Sequence, residues 1–132
     1  HELVHSFVYQ KTRGRCPVWL NEGIAQWMQG KRSDRNAAGL IEIHEKGMGV
    51  SLAMLEGSWI GLDAGGAAYA YAWGLAAVEY VISANGMGDI VRLLDRVATE
   101  PAPEAALRSA LRTNYADLDA ETLRYLKKAY SR

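Results

Sequence analysis

The chain has 132 residues, of which 49% are hydrophobic and 23% are charged, a balance typical of one globular domain with its own core. Its 15 basic and 15 acidic residues cancel and are scattered, which argues against a charged surface for nucleic acid or an anionic membrane. The most apolar run, 67–78, is too short to span a bilayer, and Cys16 alone excludes an internal disulfide and a cysteine-rich zinc site.

Glycines, prolines and short polar stretches divide the first half of the sequence into predicted helices. The first runs from residue 1 to about residue 11, and the second covers "PVWLNEGIAQWMQ", with Pro17 in its first turn. A third is expected from about 35 to 46. Ser51 should cap a short helix over "LAMLE".

The second half is helical as well. Apolar residues recur at helical spacing from Tyr71 to Ile82, which predicts the longest helix over about 67–84. Asp89 is expected to cap "IVRLLDRVA", and "PEAALRSALRT" and "DLDAETLRYLKKAY" complete the chain. Because no alternating strand pattern competes, we predict one all-α domain over 1–132 with about six or seven helices, divided into a helix pair (1–30) and a helical remainder (31–132).

The motif "HELVH" suggests metal chemistry. His1 and His5 are four residues apart, so on a helix their imidazoles project from one face and can reach one metal ion. Glu2 stands beside that face, where a general base could take a proton from a water on the metal. Catalytic zinc typically has three protein ligands and keeps a fourth position for water, so a third ligand is required.

Glu22 in "WLNEG" is the candidate third ligand, with sixteen residues between it and His5. That length allows the second helix to fold back beside the first. Gly23 follows, and a glycine inside a helix costs roughly 1 kcal/mol relative to alanine. We therefore expect a packing reason for it, a close approach of the first two helices at the metal.

HExxH followed by "WLNEG" resembles the gluzincin zinc metallopeptidases, which include aminopeptidase-N-like enzymes and peptidase-MA-like domains. The resemblance implies that His1, His5 and Glu22 bind Zn2+, that Glu2 is the base and that the substrate is a peptide or protein. The spacing resembles the peptidase-MA-like branch better than the aminopeptidase-like branch, where it is longer.

A second segment, "YAWGLAAVEYVI", is similar to the family segment in which a tyrosine opens a long helix. The family tyrosine donates its hydroxyl to the oxyanion formed on the substrate, and the matching residue is Tyr71. Tyr69 is a neighbouring rival for this role. The helical spacing of Tyr71 also allows a purely structural, buried tyrosine.

In that family a mixed sheet precedes the HExxH helix. We therefore expect this chain to be the helical, C-terminal half of a thermolysin-like metallopeptidase domain whose N-terminal sheet is missing. A bacterial cell-envelope or periplasmic location follows from the resemblance alone.

Some residues depart from the family pattern. Gln26 and Gln29 stand where an acidic residue is common, and Gly74 replaces a possible serine. These departures favour an inactive peptidase-derived module that binds peptides or proteins. A structural metal site that only joins two helices is a further alternative.

The remaining reactive or aromatic side chains receive structural interpretations. His44 is interpreted as a polar surface residue and Cys16 as an inert thiol. The four tryptophans are expected in the core: Trp19, Trp27, Trp59 and Trp73. Trp59, in the loop before the long helix, could instead line a cleft.

Overall fold

The computed structural model describes residues 2–130, which form an all-α fold as predicted. Within that range there are seven α-helices and one short 3-10 helix. Their bounds are α1 Glu2–Thr12, α2 Val18–Met28, α3 Ala37–Glu45, the 3-10 helix Leu52–Leu55, α4 Ala64–Asn85, α5 Met87–Thr99, α6 Pro103–Leu111 and α7 Tyr115–Tyr130. None of the helices in the described range is long and apolar enough to span a membrane.

Helix starts follow local capping chemistry, with one correction. The Ser51 hydroxyl accepts the Ala53 N–H, which confirms the predicted cap. Helix α4 begins earlier than predicted because the Asp63 carboxylate accepts the Gly66 N–H at 2.7 Å. The prediction that Asp89 caps α5 is wrong: Gly86 is the cap residue, and Asp89 lies in the first turn of the helix.

Helix α4 is the centre of the domain. It packs against α2, α3, α5 and α7, and its residues 73–79 are all buried. Burial on every side fits its composition, which is rich in alanine and apolar residues. Trp19 and Trp73 are fully buried, as expected of core tryptophans, whereas Trp27 and Trp59 are half-buried and pack at the edge of the core.

Gly23 of α2 and Gly74 of α4 face each other where these two helices cross. A Cβ atom on Gly23 would lie 2.5 Å from the Gly74 carbonyl oxygen, and one on Gly74 would lie 2.8 Å from the Trp19 carbonyl oxygen. The expectation that Gly23 allows α1 and α2 to approach is therefore wrong, because it allows α2 to approach α4. Gly74, which stands in place of a possible serine, has the same packing role.

A buried carboxylate fixes the C-terminal helix. Glu79 of α4 is only 4% exposed and accepts the Ser33 N–H at 2.8 Å and the Tyr125 hydroxyl at 2.7 Å. The Tyr130 hydroxyl donates to the same carboxylate oxygen as Tyr125. A buried charge needs such donors to offset its lost hydration, so α7 docks through a specific polar contact as well as through its apolar face.

Candidate functional site

Two of the predicted site residues, His5 of α1 and Glu22 of α2, lie close together. The two helices pack together, and the His5 Nε2 atom lies 3.6 Å from the Glu22 Oε2 atom. Both side chains are about one-fifth exposed, at 21% and 20%, so they are reachable from solvent yet held by their surroundings. The structure thus brings together two of the three residues that the sequence predicts as metal ligands.

Asn21 fixes the orientation of the His5 ring. The His5 Nδ1 atom lies 2.6 Å from the Asn21 Oδ1 atom, and because a carbonyl oxygen only accepts, the imidazole donates from Nδ1. In the neutral ring the lone pair is then on Nε2, the atom that faces Glu22. Metal-binding histidines are typically held in this way by a hydrogen bond from the other ring nitrogen.

The His5 and Glu22 geometry suits a zinc ion. Nitrogen and oxygen ligands lie about 2.0–2.1 Å from tetrahedral zinc, which places two ligand atoms roughly 3.3 Å apart. The observed 3.6 Å is close to that separation. One imidazole nitrogen and one carboxylate oxygen also match the donor types that catalytic zinc prefers.

The HELVH motif also contains His1 and Glu2. His1, the remaining predicted ligand, lies outside the described residues 2–130. Within that range no group of three or more His, Cys, Asp or Glu side chains is close enough to hold a metal ion. Glu2, the predicted base, lies exposed in the first turn of α1.

Gln26 connects Glu22, a predicted metal ligand, to Tyr71, the predicted oxyanion donor. Its side chain is buried, and its Nε2 atom donates to the Tyr71 carbonyl oxygen at 2.9 Å and to the Glu22 carbonyl oxygen at 3.3 Å. One amide group therefore touches the backbone of both residues. The position that departs from the acidic family pattern is used here to connect α2 with α4.

Tyr71 is accessible. Its side chain is 42% exposed, so the alternative of a buried structural tyrosine is wrong. Its ring packs edge-on against Trp59 with centroids 4.8 Å apart, and its hydroxyl makes no hydrogen bond to any group in residues 2–130. An exposed phenol of this kind is available to donate to a bound molecule.

Tyr69, the rival donor, is engaged elsewhere. Its hydroxyl donates to the Val50 carbonyl oxygen at 2.6 Å, accepts the Val50 N–H at 2.9 Å and lies 2.9 Å from the His44 Nε2 atom. Burial raises the pKa of Tyr69 to about 12. These contacts give Tyr69 a structural role, namely to fix the segment after α3.

The interpretation of His44 as a polar surface residue is wrong. Its ring packs on Trp73 at a tilt of 30°, with centroids 4.1 Å apart, and is half-buried against Gly49. Burial lowers the pKa of His44, and the charge of Asp119 opposes that shift in part. Asp119 also accepts the Trp73 indole N–H at 3.0 Å and the Ser51 hydroxyl at 2.5 Å, so these side chains form one cluster.

Cys16 has the properties of an inert thiol. Burial raises its pKa to about 12, so the nucleophilic thiolate is scarce at neutral pH. Three residues near the site were not identified from the sequence as part of it: Asn21, Gln26 in its actual role, and the Trp59 contact with Tyr71. Asn21 directly precedes Glu22, and this adjacency was the one signal that could have indicated it.

Comparisons of this chain with models of protein families, with curated proteins and with solved structures gave no match.

Proposed function

We propose that this chain acts in the zinc-dependent hydrolysis of peptide bonds in peptides or proteins. The observation that carries the proposal is the His5 and Glu22 pair, with 3.6 Å between Nε2 and Oε2 and with Asn21 fixing the imidazole. The sequence resemblance of HExxH and "WLNEG" to gluzincins supports the same function. His1, His5 and Glu22 would hold the metal.

The chain's own residues would divide the remaining work. When bound, zinc supplies Lewis-acid polarisation of the scissile carbonyl and acidifies water. Glu2 takes the proton from the attacking water and passes it to the leaving amine. Tyr71 donates its exposed hydroxyl to the developing oxyanion, and Gln26 holds the backbone of Tyr71 next to that of Glu22.

Zinc titration of the full-length protein tests the metal centre. Isothermal titration calorimetry should give about one zinc per chain. Glu22→Gln should abolish stoichiometric binding, and Asn21→Ala should weaken it by roughly 10- to 100-fold, because the His5 ring loses its orienting acceptor. Glu42→Gln is the matched control, since this exposed glutamate of α3 pairs with Lys46, the residue directly after its own helix. Zinc binding that is equal in all four proteins would overturn the ligand assignment.

Cleavage of a peptide library, followed by mass spectrometry, tests the reaction. Glu2→Gln should keep the zinc and lower the hydrolysis rate by roughly a hundredfold or more. Normal turnover in that variant would remove Glu2 from the mechanism. Zinc binding without any cleavage would indicate a structural metal site, and neither zinc nor cleavage would indicate a peptide-binding module.

A further inference from the structure

The loop between the 3-10 helix and α4 holds one aromatic side chain firmly. The Trp59 indole N–H donates to the Leu55 carbonyl oxygen at 3.1 Å. The Trp59 carbonyl oxygen accepts the Leu62 N–H at 3.0 Å, which closes a tight turn with Ile60 at its tip. Trp59 also packs half-buried against the core. Hydrogen bonds of both the backbone and the side chain therefore fix the position of Trp59.

The fixed indole packs on the ring of Tyr71, the predicted oxyanion donor. Trp59 and Tyr71 meet edge-to-face, with an interplanar angle of 89° and centroids 4.8 Å apart. This arrangement is a favoured geometry for aromatic pairs. An exposed tyrosine on a helix can otherwise occupy more than one χ1 rotamer, and the Tyr71 hydroxyl makes no hydrogen bond within residues 2–130 that would select one.

We propose that Trp59 is a positioning residue that holds the Tyr71 ring in the rotamer from which its hydroxyl reaches the reacting carbonyl. This inference rests on the proposed peptidase function. An oxyanion donor acts only when it is aimed within a few tenths of an ångström, because its value lies in not having to reorganise during the reaction. Trp59 supplies that aim through Tyr71 and does not itself touch the substrate.

A double-mutant cycle in the zinc-loaded full-length protein tests the coupling. Tyr71→Phe should lower kcat by roughly a hundredfold or more. Trp59→Ala should lower kcat by roughly 2- to 12-fold with KM nearly unchanged, the range that an edge-to-face pair supports. Trp59→Phe should restore most of the loss. In the Tyr71→Phe background Trp59→Ala should have no further effect. An equal loss in both backgrounds, or no loss in the wild-type background, would overturn the proposal.

Ile60→Ala is the matched control, because Ile60 lies in the same turn and is 95% exposed. A second readout does not depend on activity: fluorotyrosine is incorporated, and the 19F resonance of Tyr71 is assigned by its loss in Tyr71→Phe. Loss of the indole ring current shifts this resonance in any case, so the readout is the line width: Trp59→Ala should broaden the resonance by rotamer exchange, and Ile60→Ala should not. An equally narrow resonance in Trp59→Ala refutes the positioning role, whereas a broadened resonance in a protein without hydrolysis refutes the peptidase function alone.

Discussion

The crossing of α2 and α4 allows a sharp test through Gly23→Ala. The added Cβ atom would lie 2.5 Å from the Gly74 carbonyl oxygen and 2.7 Å from a Val78 methyl group, well inside contact distance. The backbone oxygen cannot rotate away, so the helices must separate. Overpacking of this kind typically costs about 1–3 kcal/mol. Alanine returns roughly 1 kcal/mol of helix propensity.

Subtracting the propensity gain from the overpacking cost leaves an expected net loss of about 0–2 kcal/mol in the free energy of unfolding. Gly39→Ala is the control, because Gly39 lies in α3 and a Cβ atom there would meet nothing within 4 Å. That variant should gain roughly 0.5–1 kcal/mol. Urea unfolding followed by circular dichroism at 222 nm measures both. Equal stabilisation of the two variants would refute the close crossing.

Two further predictions concern ionisable groups. Because burial raises the pKa of Cys16 to about 12, the folded protein should react with Ellman's reagent at pH 8 much more slowly than the urea-unfolded protein. Equally rapid labelling of both would contradict the raised pKa. Burial also raises the pKa of Tyr69 from about 10 to about 12, so its stabilising effect is complete below pH 10 and is lost as the pH rises towards 12. Urea midpoints between pH 9 and 12 should fall less steeply in Tyr69→Phe than in the wild type, and parallel curves would argue against the shift.

Local chemistry explains which parts of the fold the sequence predicts. Helix periodicity and the cap at Ser51 depend on neighbouring residues, so both are readable. The partner of Gly23 is not, because a glycine shows that something approaches closely but not which helix does so. Asp89 was assigned the wrong position because Gly86 ended one helix and began the next without a capping side chain.

In the candidate site, too, features set by local sequence were predictable, and contacts between remote parts of the chain were not. The pairing of His5 with Glu22 is predictable from motif spacing, since each residue lies on a regular helix. His44 was misassigned because it is buried by Trp73, which lies on a different helix. Nothing near His44 in the sequence indicates that contact. The exposure of Tyr71 likewise depends on how α4 is oriented in the core.

The shared amide of Gln26 has a consequence for how the site can change. A tilt or slide of α4 relative to α2 would stretch the 2.9 Å contact with Tyr71 while the 3.3 Å contact with Glu22 stayed within its own helix. The Gln26 amide therefore links the α2 side of the site to the α4 backbone, and this link depends on how the two helices are placed. Substitutions along α4 that leave every polar side chain intact would then still alter the hydrogen bond between Gln26 and the Tyr71 backbone.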